Sequence, residues 1–506
     1  MTENTAPDQP VASPTYMADI RFFFRPEDAD HMGRMGIDLS TYDGVKNNAL
    51  AILAHTAPPD ADMPPDTAGK WSDARSRTFR NWIRNGFPQG SATSPGQGTS
   101  PGQGSPTTPS DRVRKNVTNL TAQEVETLKT AFTGIMERSP DDPASFFALA
   151  GEHGLPHSWC MHHENRFEPW HRVYLRQFED ALRSVPGCED VTLPYWDVTT
   201  SLPDVLQQPP FASYTLPQDP GVTAHPPRPG AYFPYTTTRN SPADITQNMQ
   251  DFGVFDDIST AGNQTRFGKY NIGGYEDFSI QAHDGGHVAT GPTMREQNVS
   301  AYDPVFWFYH CNLDRLWLNW QIKLSADTLA RFTSVVDGDP SWLSVSPDDL
   351  LTGFDGQGGL PGTTAGETIS FGISYEPHEQ EAALENKVGS LEAARAFSIK
   401  RSDPVSVRVK DIDRLNIPGT FIVKLLADGE PIAKRAFFQP DSPQNCENCR
   451  KQARVNIDFR IEQEKLLDHR LSVEIEVPGL AEVGPRFPLS QAGNPTINAR
   501  LLLQDE

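Results

Sequence analysis

The chain has 506 residues, 37% of them hydrophobic, with 44 prolines, 38 glycines and a formal net charge of −22. That length predicts two or three domains rather than one core, and the acidity argues against nucleic acid or an anionic membrane as partner, because both need basic surface. No apolar run approaches the roughly 18–20 residues that cross a bilayer, and the opening MTENTAPDQPVASPTYMADI lacks the basic start and apolar stretch of a secretory leader, so a cytoplasmic location is expected.

In chain order, residues 1–87 predict a small helical unit. DLSTYDGVKNNALAILAH carries a helical apolar period, and WSDARSRTFRNWIRNGFP carries another, closed by Gly86 and Pro88. MPP followed by an amphipathic helix ending WIRNG resembles the last part of a cytochrome-c-like domain. That likeness is of fold only, because there is no Cys-x-x-Cys-His to attach haem. Residues 88–111 form a Pro/Gly/Ser linker in which TSPGQG occurs twice in tandem, a composition that buries no core.

Residues 112–350 are predicted to be a helical domain. Thr121 and Glu124 form a capping box ahead of one amphipathic helix. In FEPWHRVYLRQFEDALRSV, His171, Tyr174, Leu175, Phe178 and Leu182 share a face. A third helix runs through YDPVFWFYHCNLDRLWLNWQIK, with Asp303 as N-cap and Pro304 at its first position. A Pro-rich loop is expected from about Asp197 to Gln250. From 365 to 506 the pattern changes to alternating strands: GETISFGISY, DPVSVRVKDI, GTFIVKLLADG, ARVNIDFRIEQ and LSVEIEV. They predict an antiparallel β sandwich of roughly seven strands. The fold class is thus multidomain α+β.

Six histidines of this helical domain fall into two groups of three. His153, His162 and His171 are spaced nine apart; His283 and His287 form HDGGH and are followed by His310. An isolated interior histidine is more often a hydrogen-bonded core residue than a ligand. Even spacing weakens that reading, as does His-x-x-x-His, whose two rings share a helix face. Imidazole suits copper, zinc, iron and nickel, and three ligands per ion leave an open position. A zinc protease would place Glu directly after the first His of His-x-x-x-His, whereas Asp284, Gly285 and Gly286 fill the gap here.

CMHHENRFEPWHRVYLRQFE resembles the first copper motif of the tyrosinase family, the type 3 copper proteins. HDGGH with DPVFWFYHCNLDRLWLNWQ resembles the second, and LPYWDVTT matches a segment that follows the first. The likeness covers residues 120 to 330 and is that of a bacterial-type member with a C-terminal lid-like domain. It implies a four-helix bundle with two copper ions, one on His153, His162 and His171, the other on His283, His287 and His310. His157 and His163 are rivals by proximity that the motif alignment disfavours. The family usually has two adjacent histidines at the last ligand; Tyr309 takes the first place here. Glu168 replaces the usual apolar residue before Pro-Trp-His.

The resemblance further implies a thioether between Cys160 and His162; the plain alternative is a buried thiol. It implies Asp284, with Glu276 as the nearest upstream Glu, as holders of a water that takes up a phenolic proton. Asp314 either orients His310 or pairs with a basic residue. Gly285 and Gly286 either leave room for substrate or permit close packing. Cys446 and Cys449 form a Cys-x-x-Cys that is either a soft copper-loading pair or a redox or disulfide pair. Phe437 or Phe438 in KRAFFQP could occupy the substrate position as a placeholder, the alternative being sandwich core.

The expected activity is that of a tyrosinase: o-hydroxylation of a monophenol and oxidation of the diphenol to an o-quinone with dioxygen. Catechol or o-aminophenol oxidation, and a haemocyanin-like dioxygen carrier, are the alternatives. Expected partners are a phenolic small molecule and dioxygen, with no nucleic acid or membrane; a homo-oligomer stays open.

Overall fold

A computed structural model describes residues 11–501 apart from several stretches, the longest being 85–111, 222–232, 345–363 and 377–403. The linker and the stop signals Gly86 and Pro88 lie outside the described residues, as does most of the MPP segment. The chain forms two compact units. The first is drawn from Met1–Arg112, Ala326–Ser334 and Ile369–Ser374; the second from Val113–Ser325, Val335–Thr368 and Tyr375–Glu506.

The first unit contains helices α1 (Tyr42–Asn47), α2 (Ala49–Thr56) and α3 (Asp73–Arg84). The single helix expected over the first of these segments is broken at Asn48, whose backbone leaves helical geometry and whose side chain caps the carbonyl of Gly44. Ile20, Phe23, Val45, Trp71, Phe79 and Trp82 form its core.

In the second unit, α4 (Ala122–Met136) starts at the Thr121/Glu124 capping box. It is followed by α5 (Phe146–His153) and α6 (Phe167–Arg183), and the predicted face of α6 is wholly buried. The Pro-rich loop ends earlier than expected. Ser241 caps α7 (Pro242–Asp251), with Pro242 in the first turn where a missing N–H costs nothing. After α8 (Val254–Gly262) come α9 (Tyr275–Thr290) and α10 (Val305–Lys323), both buried along most of their length. Pro304 caps α10 and Asp303 stands one residue further out, where its carboxylate still accepts from the Val305 N–H at 3.1 Å.

The C-terminal region is a pair of antiparallel sheets. Its strands are β1 (Pro404–Asp413), β2 (Phe421–Ala427), β3 (Glu430–Phe437), β4 (Arg454–Glu462), β5 (Leu471–Glu476), β6 (Arg486–Phe487) and β7 (Thr496–Leu501). The orders are β4-β1-β7 and β3-β2-β5-β6. Alternating inward residues of both sheets, among them Val407, Val409, Val423, Leu425, Phe459 and Ile475, share one core. GETISFGISY supplies no strand of this sandwich; its last three residues, Ile373–Tyr375, are a short strand of a separate two-stranded sheet. Thr364 and Glu367 exchange hydrogen bonds that start a 3-10 turn over Gly366–Ser370. Sequence periodicity did not single out β3, β6 or β7, and β3 reaches the helical core. Lys434 and Arg435 on it pair with Asp251 and the buried Asp257, and Arg435 also donates to the Phe252 carbonyl at 2.8 Å.

Candidate metal centre

Each histidine of the first group comes from a different segment: His153 ends α5, His162 lies in the following loop and His171 sits in the second turn of α6. His283 and His287 stand one turn apart on α9, and His310 on α10 completes the second group. Within each triad, one nitrogen from every ring falls within 4.8 Å of the others. The triads abut, with His171 and His310 stacked at 4.6 Å and His162 and His283 at 5.0 Å between ring centroids. All six are at most 5% exposed.

The tautomers follow from the partners. Nδ1 of His171 faces the Phe167 carbonyl at 2.8 Å, Nδ1 of His287 the Met294 carbonyl at 2.8 Å, and Nδ1 of His283 the Asp284 carboxylate at 2.9 Å. Carbonyl and carboxylate oxygens accept only, so these Nδ1 atoms carry the proton and Nε2 keeps the lone pair. Nε2 of His153, His162, His171 and His283 is buried with no hydrogen-bond partner, and Nε2 of His287 and His310 face each other at 3.0 Å. Orphaned acceptors converging in a buried pocket are costly unless a cation completes them. Burial keeps the rings neutral, pushing His171 and His287 down to about 3. Neutral imidazoles with inward lone pairs fit two copper ions.

The rival histidines are elsewhere. His157 is exposed and stacks on Trp159. His163 is buried, but its Nε2 meets Asp284 Oδ2 at 2.8 Å. Asp284 also accepts the Phe438 N–H at 3.0 Å. Its carboxylate is raised by burial and drawn back by His163 and that amide. It is thus fully engaged by protein groups in this arrangement. Glu276 is fully buried and neither oxygen has a hydrogen-bond partner. Burial and then the neighbouring acids Asp277, Glu168 and Glu164 hold it well above the usual carboxylate range. The structure does not place it among the groups that contact Asp284.

Asp314 does not orient His310. It binds the buried Arg172 Nε at 2.5 Å and Arg114 Nη1 at 3.2 Å and the half-buried Tyr375 hydroxyl at 2.6 Å, while His310 Nδ1 has no partner. The ion-pair alternative is the one realised, because two arginines from distant segments need a counter-charge inside the core.

Gly285 and Gly286 serve packing. A Cβ on Gly286 would lie 2.0 Å from the Tyr309 hydroxyl, and one on Gly285 would lie 2.9 Å from Val254 Cγ2. Tyr309 occupies the space that Gly286 leaves and donates to the carbonyls of Ala282 and His283. Gly286→Ala is therefore expected to destabilise the metal-free protein by roughly 1–3 kcal/mol, the usual cost of overpacking. A denaturant midpoint identical to the parent's would mean that the helices are free to part there.

Phe438 sits over both triads. Its ring stacks on His287 at 4.2 Å and presents to His162 and His283 edge-on at 5.4 Å each. Phe437 belongs to the sandwich core and stacks on Phe421 at 5.0 Å. The two phenylalanines thus divide the expected roles between them. Cys446 and Cys449 form a disulfide at the start of α11 (Glu447–Lys451), so thiolates for a metal exist there only after reduction. Cys160 is buried, pushed up to about 12 by burial, and its sulfur lies 3.1 Å from Gln297 Nε2. Sequence reasoning missed Gln297, Gln452 and the bonding of His163, since none carries a local pattern.

Residues 143–209 and 203–323 match the model of the common central domain of tyrosinase. Haemocyanin 1 of Megathura crenulata is 33% identical over 227 residues, 41% of this chain but only 6% of that protein. Tyrosinase HcTyr2 of Hahella sp. (strain CCB-MM4) is 25% identical over 462 residues, 62% of this chain and 80% of that one. Among solved structures, a tyrosinase from Burkholderia thailandensis at low pH superposes with a TM-score of 0.57 at 20% identity, over 77% of this chain and 100% of that one. A functional unit of octopus haemocyanin does so with 0.54 at 19%, over 76% and 99%. These superpositions establish the fold.

Proposed function

The chain carries the central domain of the type 3 copper family and two histidine triads that fit a dinuclear copper centre, and from that premise we propose that it is a phenol oxidase of the tyrosinase type. It would convert monophenols to o-diphenols and these to o-quinones with dioxygen. The observation that carries the reading is the aromatic ring of Phe438 seated against His287, because a flat ring stacked there marks the volume and orientation that a phenol would take.

Bound copper supplies the dioxygen binding and electron transfer that imidazoles and carboxylates cannot. The protein does the rest. The carbonyls of Phe167 and Met294 fix the orientation of His171 and His287. The buried walls exclude water. Displacement of Phe438 frees the face of His287 for the substrate ring and removes one donor from Asp284 Oδ2. That oxygen can then accept the phenolic proton, a need specific to monophenols, whose hydroxyl titrates near pH 10. Asp284→Ala is expected to lower tyrosine oxidation by about 10²-fold or more and catechol oxidation much less. Equal losses on both substrates would leave only a structural role for the carboxylate.

A dioxygen carrier is the second reading, favoured by the same ring: Phe438 stacked on His287 occupies the face a phenol would need. Turnover of tyrosine and catechol by copper-loaded protein, intact and after removal of the sandwich, separates the readings. No turnover in either form, with reversible oxygenation in both, would establish the carrier. Turnover of catechol alone would establish a diphenol oxidase. The peptide that contains both Cys160 and His162 is expected to be recovered from copper-loaded protein two hydrogens lighter than its sequence requires, the mass signature of a thioether within it. An alkylatable Cys160 in that material would refute the thioether.

A further inference from the structure

His163 stands next to a ligand histidine and has a backbone conformation that side chains avoid. Its φ is 59°, in the left-handed region that a residue with a Cβ rarely adopts. A residue held there is retained by its surroundings. The ring is 2% exposed and stacks face to face on Phe437 of β3 at 4.2 Å and 7°. Tyr270 meets it edge-on at 4.9 Å. Its carbonyl accepts from Gln452 Nε2 at 2.9 Å, and the carbonyl of His162 accepts from Asn448 Nδ2 at 3.0 Å. All these contacts except Tyr270 come from the C-terminal sandwich and its disulfide-bearing turn.

On its other side the ring faces the metal centre. Nε2 of His163 and the N–H of Phe438 share Asp284 Oδ2, at 2.8 and 3.0 Å, while Asp284 Oδ1 faces Nδ1 of His283 at 2.9 Å. A carboxylate behind a ligand histidine fixes its ring and tautomer and raises its basicity. Besides His283 itself, two donors set the orientation of this carboxylate. One is a main-chain group of the sandwich, and the other is a ring the sandwich holds flat.

We propose that His163 is a positioning residue through which docking of the C-terminal sandwich sets the carboxylate behind His283, so that lid closure is felt at the second metal position and not only as obstruction by Phe438. The proposal rests on the reading of the six histidines as metal ligands. When the sandwich departs, the imidazole loses its stacking partner, two carbonyls lose their donors and Asp284 loses one of its donors. Nothing from the sandwich then holds residue 163 in its left-handed conformation. Closed and open forms therefore differ in how firmly His283 is oriented, which is the differential interaction that couples the two sites.

The test uses full-length, metal-loaded protein. His163→Phe retains a ring for Phe437 and deletes the donor to Asp284; His163→Gln retains a donor and deletes the ring. The measurements are hydrogen exchange at the Phe438 amide and retention of each metal under chelator competition. His163→Phe is expected to exchange that amide at least tenfold faster and to hold the second metal about 10–100-fold less tightly, with the first metal unchanged. His163→Gln should recover most of the metal retention. In the background of Asp284→Asn, His163→Phe should add little further. Parent-like exchange and retention in His163→Phe, or additive losses in the double variant, would overturn the coupling. Should the coupling hold while neither tyrosine nor catechol is oxidised, the oxidase reading falls and the role of His163 stands; oxidation with no coupling has the opposite meaning.

Discussion

His287→Ala is expected to bind one copper instead of two and to lose phenol oxidation entirely. Its Nε2 is one of the three nitrogens that converge in the second triad, and its Nδ1 is held by the Met294 carbonyl, so the lone pair has no other orientation. Two remaining ligands, His283 and His310, bind the second ion poorly, and dioxygen chemistry in this family of sites needs both ions. His171→Ala should act in the same way on the first triad. Metal analysis after gel filtration, with oxygen uptake on catechol, gives the answer. Two coppers retained in both variants would show the ligand assignment to be wrong. The change should leave the fold intact, because α9 keeps its partners α7 and α8 and its packing against β3.

Phe438→Ala in the full chain is expected to raise the initial rate on catechol strongly without altering copper content. The ring is fully buried against four imidazoles, and truncating a buried Phe costs about 3–5 kcal/mol of the arrangement it stabilises. If about 3 kcal/mol of that falls on the closed form alone, the closed-to-open ratio drops by roughly 10². Proteolytic removal of the sandwich should reach the same rate, since Arg435–Asp257 and Lys434–Asp251 then no longer hold it. Phe437→Ala should behave differently. It opens a cavity in the sandwich core beside Phe421 and lowers stability as well. A Phe438→Ala protein with two coppers and an unchanged rate would mean that the ring does not gate access.

The helical part of the fold was legible because its signals are local. The Thr121/Glu124 capping box, the buried face of α6 and the His-x-x-x-His of α9 depend on residues three or four apart. Strands β1, β2, β4 and β5 of the sandwich were legible from alternation; β6 and β7 were not, and neither was β3. There Glu430, Lys434 and Arg435 mask the period, because its cations face acidic partners on the helical core rather than water. Within GETISFGISY, Gly366–Ser370 was misread as strand because the Thr364–Glu367 bonds outweigh the β propensity of Ile369, whereas Ile373–Tyr375 does form a short strand.

The sequence by itself determined which six imidazoles assemble through the likeness of its two motifs to the tyrosinase family, with helical spacing pairing only His283 and His287, and it determined the existence of a separate β region after them. Only the tertiary structure decided what stands behind and over those imidazoles. Asp314 turns to Arg114 and Arg172, residues 200 and 142 positions away, rather than to His310 four positions before it. Asp284 is taken up by His163 and by a main-chain amide 154 residues further on. Phe438 and not Phe437 enters the centre, because β3 ends there and adjacent side chains of a strand point to opposite faces. Buried charges and vacant lone pairs are satisfied by whichever group folding brings within 3 Å, and sequence distance carries no information about that.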